Sequence, residues 1–190
     1  MGEVSQEKNE MRARMRALRE GLGADERNRI DAAIAAKVRN LAEYRNADAV
    51  FTYLSVGSEV DTREIIRDAW QQGKLVAVPR CVPGTNRMEW YEIRDFENLE
   101  TSSFGVEEPI ADPAHLVEVP GTPETKAVAI VPGYSFDPQG YRVGYGGGFY
   151  DVFLPTFGGA SVGLCRAIQF SEDPLPHDAY DQAVHVVVTD

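Results

Sequence analysis

Hydrophobic residues recur along the chain at two different spacings, which predict alternating helices and strands. Spacings of three and four residues predict helices through Met11, Met15, Leu18 and Leu22, through Ile30, Ile34, Val38 and Leu41, and through Ile65, Ile66, Ala69 and Trp70. Apolar runs predict buried strands at 49–55, 74–79 (ending at Pro79), 127–132, 161–165 and 184–188, and alternation predicts a half-buried strand at 88–93. Residues 94–125 are expected to wrap the surface irregularly. Because helices and strands alternate, we predict one α/β domain over residues 1–190 with a mostly parallel sheet.

The composition is that of an ordinary soluble globular protein. Hydrophobic residues make up 43% of the chain and charged residues 26%. No apolar run approaches the roughly 20 residues that cross a bilayer, and the N-terminus lacks the apolar core of a signal peptide. We therefore expect a cytoplasmic protein without a membrane partner. Two cysteines and three histidines are too few to suggest a structural zinc site.

Charge is unevenly distributed, and its distribution narrows the choice of ligand. The net charge of −11 argues against nucleic acid, because a nucleic-acid-binding protein must neutralise phosphates. Residues 1–45 nevertheless hold ten Lys and Arg against eight acidic residues, a balance of +2. A locally basic N-terminus on an acidic body can serve a small anionic ligand. We therefore expect small-molecule substrates, and a monomer or weak dimer.

The stretch VPGYSFDPQGYRVGYGGGFYD, residues 131–151, holds five glycines within nine residues, between a predicted strand and a predicted helix start. Such a loop can turn consecutive N–H groups towards an anion. It lacks the Lys-Ser/Thr of a Walker A loop and the spacing of a Rossmann loop. Arg142 suits phosphate oxygens, and Asp151 suits magnesium. The alternative is a glycine-rich turn with a surface arginine and a capping aspartate.

This glycine segment resembles the signature of the 5-formyltetrahydrofolate cyclo-ligase family, also called 5,10-methenyltetrahydrofolate synthetase. Segments elsewhere resemble the family in the same order, namely 8–12, 58–62, 104–109 and His177-Asp178. The resemblance therefore spans nearly the whole chain. There are two departures: Phe149 stands where the family often has tyrosine, and extra residues follow Asp178.

The resemblance implies a three-layer fold like the NagB/RpiA/CoA-transferase-like fold, and an ATP- and magnesium-dependent ligase. In the implied reaction, ATP phosphorylates the formyl oxygen of 5-formyltetrahydrofolate and N10 of the folate attacks the formyl carbon. The products are 5,10-methenyltetrahydrofolate, ADP and phosphate. Two alternatives are a related ATP-dependent enzyme acting on a non-folate metabolite and a non-catalytic protein that binds folate or a nucleotide.

The resemblance also implies roles for individual residues. Catalytic roles fall on Arg142 and Glu59. ATP binding falls on Lys8, Arg12, Arg142, Val143, Gly144, Tyr145, Gly146, Gly147, Gly148, Phe149 and Tyr150. Folate binding falls on Leu54, Glu59, Tyr145, Gly146, Gly147, Gly148 and Phe149. The implied magnesium ligands are Asp151 and Asp178, with Asp181 as a competing candidate for the second carboxylate.

Several of these residues have a structural alternative. Glu59 follows a strand end, where α/β ligands usually bind, so it can orient folate nitrogens or accept a proton from N10; its alternative is a simple pre-helix acid. In the first helix Lys8, Arg12, Arg16 and Arg19 form one stripe, in which we expect Arg16 and Arg19 to be solvated. The aromatic residues Tyr134, Phe136 and Phe149 either stack on the pterin or pack in the core. Arg142 is expected to be a loop residue that contributes little to stability.

Overall fold

The computed structural model describes residues 3–102, 105–122 and 125–190. Over these residues the helices are α1 (Glu3–Gly21), α2 (Ala24–Asn40), α3 (Ala42–Arg45), α4 (Arg63–Gln71) and α5 (Phe149–Phe153). The strands are β1 (Ala49–Phe51), β2 (Leu75–Cys81), β3 (Met88–Glu92), β4 (Leu99–Thr101), β5 (Glu107–Pro109), β6 (Leu116–Val117), β7 (Ala127–Val131), β8 (Ser135–Phe136), β9 (Arg142–Val143), β10 (Ala160–Leu164) and β11 (Val186–Val188).

Seven of the described strands form one sheet, in the order β11, β10, β7, β1, β2, β3, β6. From β11 to β2 all neighbours are parallel, whereas β3 and β6 are added antiparallel at one edge. This confirms the predicted α/β fold with a mostly parallel sheet. The more specific likeness to the NagB/RpiA/CoA-transferase-like fold stays a prediction. The pairs β4–β5 and β8–β9 lie outside this sheet.

Both faces of the sheet are covered, because successive residues of a strand point to opposite sides. On one side Val50, Val128 and Ile130 pack with the buried faces of α2 and α4. On the other side Phe51 and Val131 pack in an aromatic cluster that includes residues of α5. The continuous apolar runs at the strand positions therefore follow from burial on two sides. Among the described helices, none combines the length and apolar character needed to cross a lipid bilayer.

Several strand predictions were wrong in detail. The strand predicted over 49–55 ends at Phe51, and the strand predicted over 184–188 begins at Val186. Strand β2 continues through Pro79 to Cys81 instead of ending at the proline. Strand β1 pairs with β2 only as far as Ala77, and beyond it Pro79 pairs with Trp90 of β3. A missing N–H is tolerated where one side of a strand has no neighbour. The segment predicted to be irregular contains β4, β5 and β6, and β6 extends the sheet.

Helix α1 forms as predicted, but it turns a largely basic face inward. Lys8, Met15 and Arg19 are buried, whereas Leu18 of the predicted apolar stripe is 40% exposed. The basic residues find partners on the body of the protein: Lys8 pairs with Asp181, and Arg19 Nε donates to the main-chain oxygen of Ser58 at 2.9 Å. Because these polar contacts replace apolar packing, the hydrophobic pattern alone could not orient this helix.

Candidate functional site

One cavity of about 750 Å³ lies beside α1, next to the carboxyl ends of β1 and β7. We call it the main cavity. Its walls come from α1, the β1–α4 loop at 53–59, the β4–β5 hairpin and the glycine loop at 144–151. Ligands of open α/β sheets usually bind outside the carboxyl ends of the strands. The cavity volume is in the range typical of small-molecule sites.

The structure brings most of the predicted site residues to this cavity. Those that line it are Lys8, Arg12, Leu54, Glu59, Arg142, Gly144, Tyr145, Gly146, Gly147, Gly148, Phe149, Tyr150 and Asp151. Val143 does not line the cavity, since its side chain is fully buried in β9. Asp178 is exposed on the neighbouring loop, also outside the cavity. Phe104, part of the resemblance, lies outside the described residues.

The glycine loop lies against α1 and leads directly into α5. Gly146 and Gly148 have φ angles of 98° and 68°, in the left-handed region that disfavours other residues. Arg12 Nε donates to the Gly144 carbonyl at 2.7 Å, and a side chain at position 146 would contact the Arg12 guanidinium. The glycines thus let the loop pass close to a cation, which stays at the cavity wall.

Arg142 is buried, contrary to the expectation of a surface loop residue. Its side chain is 5% exposed. One terminal nitrogen donates to Asp151 Oδ1 at 2.8 Å, and the other donates to the Gln182 carbonyl at 2.6 Å. The Gln182 amide donates to the same Asp151 oxygen at 3.2 Å. Arg142 therefore joins β9, α5 and the loop before β11, and it also borders the cavity.

Two aspartates border the cavity, and each has a cationic partner. Asp151 pairs with Arg142, and Asp181 pairs with Lys8. Asp181 also accepts from the Asp178 amide at 2.7 Å, so Asp178 shapes the turn that carries Asp181. Within residues 3–102, 105–122 and 125–190, no group of three His, Cys, Asp or Glu side chains could hold a metal ion. Magnesium on phosphate needs only one or two carboxylates, and Asp151 with Asp181 fits that requirement.

Glu59 reaches the cavity from the β1–α4 loop, where Tyr145 and Arg19 face it. Its Oε2 accepts from the Val56 amide at 2.7 Å. Burial raises the pKa of Glu59 above its ordinary value, against the lowering effects of the Tyr145 hydroxyl, the Val56 amide and the Arg19 charge. A carboxylate with a raised pKa is a stronger base near neutral pH.

Aromatic hydroxyls give the cavity hydrogen-bond donors. Burial, followed by the nearby Glu59 charge, raises the pKa values of Tyr145 and Tyr150, so both phenols stay protonated. The buried Tyr150 hydroxyl has no hydrogen-bond partner among the described residues, which is costly unless a ligand supplies one. Of the aromatic residues left open between ligand and core, Tyr134 and Phe149 line the cavity, whereas Phe136 is fully buried in the aromatic cluster.

Arg16 and Arg19 both line the cavity, although the sequence led us to expect them to be solvated. Arg19 is 3% exposed, lines the cavity and donates to the Tyr145 hydroxyl at 3.0 Å, so the expectation that it is solvated was wrong. Arg16 is exposed, but its guanidinium donates to the Tyr134 hydroxyl at 3.0 Å. The sequence spacing could have predicted the position of Arg19, because Lys8, Arg12 and Arg19 share one helical face. Glu108, buried and lining the opposite wall, gave no such signal.

Comparisons with known proteins agree with these findings. The model of the family described as 5-formyltetrahydrofolate cyclo-ligase matches residues 4–190. A probable 5-formyltetrahydrofolate cyclo-ligase of Schizosaccharomyces pombe is 29% identical, covering 98% of this chain and 96% of the relative. The 5-formyltetrahydrofolate cyclo-ligase of Haemophilus influenzae is 27% identical over 93% of this chain and 94% of its own. The 5,10-methenyltetrahydrofolate synthetase structure from Aquifex aeolicus is 30% identical, with a TM-score of 0.78, over 96% of this chain and 89% of its own. These matches confirm the resemblance drawn from the glycine segment.

Proposed function

Because the chain belongs to the 5-formyltetrahydrofolate cyclo-ligase family, we propose that it converts 5-formyltetrahydrofolate into 5,10-methenyltetrahydrofolate, using ATP and magnesium. The observation that carries this proposal is the main cavity. It gathers a basic helix face, a glycine loop and a raised-pKa carboxylate around one space. Phosphoryl transfer and ring closure need these groups next to each other, because one phosphorylated intermediate must pass through both steps.

ATP is proposed to lie along the glycine loop and the basic face of α1. Lys8, Arg12 and Arg142 supply three positive charges at the cavity wall. Main-chain amides between Gly144 and Tyr150 supply donors for phosphate oxygens. The Tyr150 hydroxyl, which has no hydrogen-bond partner in the described part of the chain, adds a further donor. In phosphoryl transfer, this kind of positioning and charge neutralisation provides most of the catalysis.

Asp151 and Asp181 are the residues that would hold magnesium, with Asp181 taking the place first given to Asp178. A magnesium ion bound there supplies neutralisation of the phosphate charge. Lys8 and Arg142 pair with these carboxylates and keep them at the cavity border. The same two cations can then turn towards phosphate oxygens when ATP and metal are bound together.

The proposed chemistry divides between the two sides of the cavity. The formyl oxygen attacks the γ-phosphorus of ATP, so a new O–P bond forms and the bond to ADP breaks. N10 of the folate then attacks the activated formyl carbon, and phosphate leaves with the formyl oxygen. Glu59 accepts the proton that N10 loses, since burial raises the pKa of its carboxylate towards the working range of a general base.

One assay tests the proposed function directly. The protein is mixed with 5-formyltetrahydrofolate, ATP and magnesium, and the ultraviolet absorbance of 5,10-methenyltetrahydrofolate is followed together with ADP release. We expect both signals, and neither when ATP is omitted. ADP release with a non-folate metabolite and none with folate would favour a related ligase. Calorimetry showing tight folate binding without ATP turnover would favour a binding protein. The cytoplasmic location and the monomeric or weakly dimeric state stay predictions.

Asp151→Asn is expected to raise the magnesium concentration needed for half-maximal turnover, by roughly tenfold or more. The amide keeps the shape of the side chain and can still accept from Arg142, but it removes the negative charge that attracts the metal. Asp178→Asn is the matched control, because Asp178 is exposed outside the cavity. Magnesium titrations of turnover provide the measurement. An unchanged requirement in Asp151→Asn would remove Asp151 from the proposed metal site.

A further inference from the structure

A buried ion pair lies behind the part of the main cavity that Glu59 borders, without lining the cavity. Arg166, which follows β10, is 1% exposed, and Asp31 of α2 is 7% exposed. The guanidinium donates to both oxygens of Asp31 at 2.8 Å, in a two-pronged geometry. Neither residue lines the cavity. The catalytic arrangement described above therefore does not use them directly.

The pair holds the main chain on both sides of the Glu59 side chain. Arg166 donates to the carbonyl oxygens of Ser58 at 2.9 Å and Glu59 at 3.0 Å. Asp31 Oδ2 accepts from the Asp61 amide at 3.1 Å. Arg19 of α1 donates to the same Ser58 oxygen at 2.9 Å. Main-chain groups of Ser58, Glu59 and Asp61 are thus fixed to the Asp31–Arg166 pair, which does not line the cavity.

An ion pair in this position needs a reason beyond stability. Burying an arginine and an aspartate is often no more stabilising than packing apolar residues of similar volume. Its distinctive property is geometry, because a guanidinium presents several donors in a rigid plane. Here that plane sets the position of two successive carbonyls. Among the described residues, the Glu59 carboxylate has the Val56 amide and the Tyr145 hydroxyl as its hydrogen-bond partners, so its place depends on its main chain.

We propose that Asp31 and Arg166 are positioning residues, which act through the main chain to hold Glu59 against the reacting folate nitrogen. This inference rests on the proposed function and assigns two residues to its folate step. Glu59 is faced by Arg19 from α1, Tyr53 after β1, and Tyr145 and Tyr150 from the glycine loop and α5. Loss of the ion pair loosens the main chain at Glu59 and leaves the glycine loop, where phosphate is proposed to bind, in place.

Asp31→Asn and Arg166→Lys test the inference. Asparagine keeps the shape of Asp31 without its charge. Lysine keeps the charge of Arg166 without the planar set of guanidinium donors. In both variants kcat/KM for 5-formyltetrahydrofolate is expected to fall on the order of 100-fold, because small misplacements of a reacting group are costly. The KM for ATP is expected to stay at the wild-type value. The acid limb of the kcat/KM profile should move to lower pH, since a less buried Glu59 has a lower pKa and stays ionised further into acid.

Tyr44→Phe is the matched control for lost stability. The Tyr44 hydroxyl is buried outside the cavity and donates to Asp68 at 2.7 Å. Its removal should lower the free energy of unfolding without changing the folate kinetics. If Asp31→Asn and Arg166→Lys behave like this control, with wild-type kcat/KM and pH profile, the positioning role is excluded. An inactive wild-type protein that still binds ATP would contradict the proposed function instead.

Hydrogen exchange on the wild-type protein gives a readout that needs no variant. The Asp61 amide donates to the buried Asp31 carboxylate, so it is expected to exchange as slowly as the amides of β1. Exchange as fast as that of the exposed Gly57 would show that the loop is not held, and would overturn the inference.

Discussion

Arg142→Ala is expected to lose nearly all turnover and also part of the stability of the fold. The guanidinium borders the proposed phosphate site, and loss of one such donor or cation lowers turnover on the order of 1,000-fold. The same group bonds Asp151 and the Gln182 carbonyl from a buried position. Its loss leaves both without that partner. We expect a cost of about 2 kcal/mol in unfolding free energy, below that of a fully buried pair because Asp151 is 27% exposed.

Steady-state kinetics and denaturant unfolding separate these two effects. Arg80→Ala is the matched control, because the Arg80 guanidinium also bonds one carboxylate, on Glu100, and one main-chain carbonyl, on Pro109. Arg80 does not line the main cavity, so its loss should affect stability and leave turnover near the wild-type level. An Arg142→Ala protein with wild-type turnover would remove Arg142 from the ATP site. Unchanged stability would mean that its buried contacts contribute nothing.

Gly140→Ala is expected to give the largest loss of stability of any single methyl group added in the glycine segment. Gly140 has a φ angle of 85°, which costs about 1–2 kcal/mol for a residue with a side chain. A Cβ there would also overlap the main-chain oxygen of Val184, whose amide donates to the Gly140 carbonyl at 2.9 Å. Overpacking against main chain adds about 1–3 kcal/mol. The sum is about 4 kcal/mol, or roughly 10 °C in the thermal midpoint.

Gly84→Ala isolates the steric part of this loss. Gly84 has a similar φ angle of 72°, but an added Cβ would meet nothing within 4 Å. It should therefore show only the conformational cost of about 1 kcal/mol. Calorimetric or denaturant unfolding of the two variants provides the comparison. Equal losses would show that the close approach between Gly140 and Val184 is unimportant.

The sequence predicted the parts of the fold in which local pattern and burial agree. The central strands read as continuous apolar runs because both faces of the sheet are covered, and α2 and α4 carry apolar residues at helical spacing. Helix α1 was predicted as a helix with Met15 on its inward side, but the burial of the basic residue Arg19 on the same side was not predicted. Its orientation depends on partners far along the chain, such as Asp181, which pairs with Lys8. A periodicity argument assumes that the buried face is apolar.

The candidate site shows the same limit. The glycine loop, Asp151 and Glu59 stand in recognisable sequence contexts, so their place at one cavity could be anticipated. Which of Asp178 and Asp181 borders the cavity could not be anticipated, because it depends on the geometry of the four-residue turn that joins them. The local sequence around Asp31 and around Arg166 does not predict their ion pair either. Its members are separated by 135 positions, and nothing near either residue indicates that they meet.

The basic inward face of α1 has a consequence for how substrate entry and helix docking are related. Lys8 and Arg12 connect this helix to Asp181 and to the glycine loop. They are also among the cations that we propose for binding the triphosphate of ATP. A nucleotide bound as proposed would therefore replace the contacts of Lys8 and Arg12 with contacts to its own phosphates. Because the two equilibria are linked, a change that stabilises the docking of α1 changes the affinity for nucleotide. Nucleotide binding then changes the free energy of α1 docking by the same amount. Docking of α1 and binding of the proposed nucleotide therefore depend on the same two positive charges, those of Lys8 and Arg12.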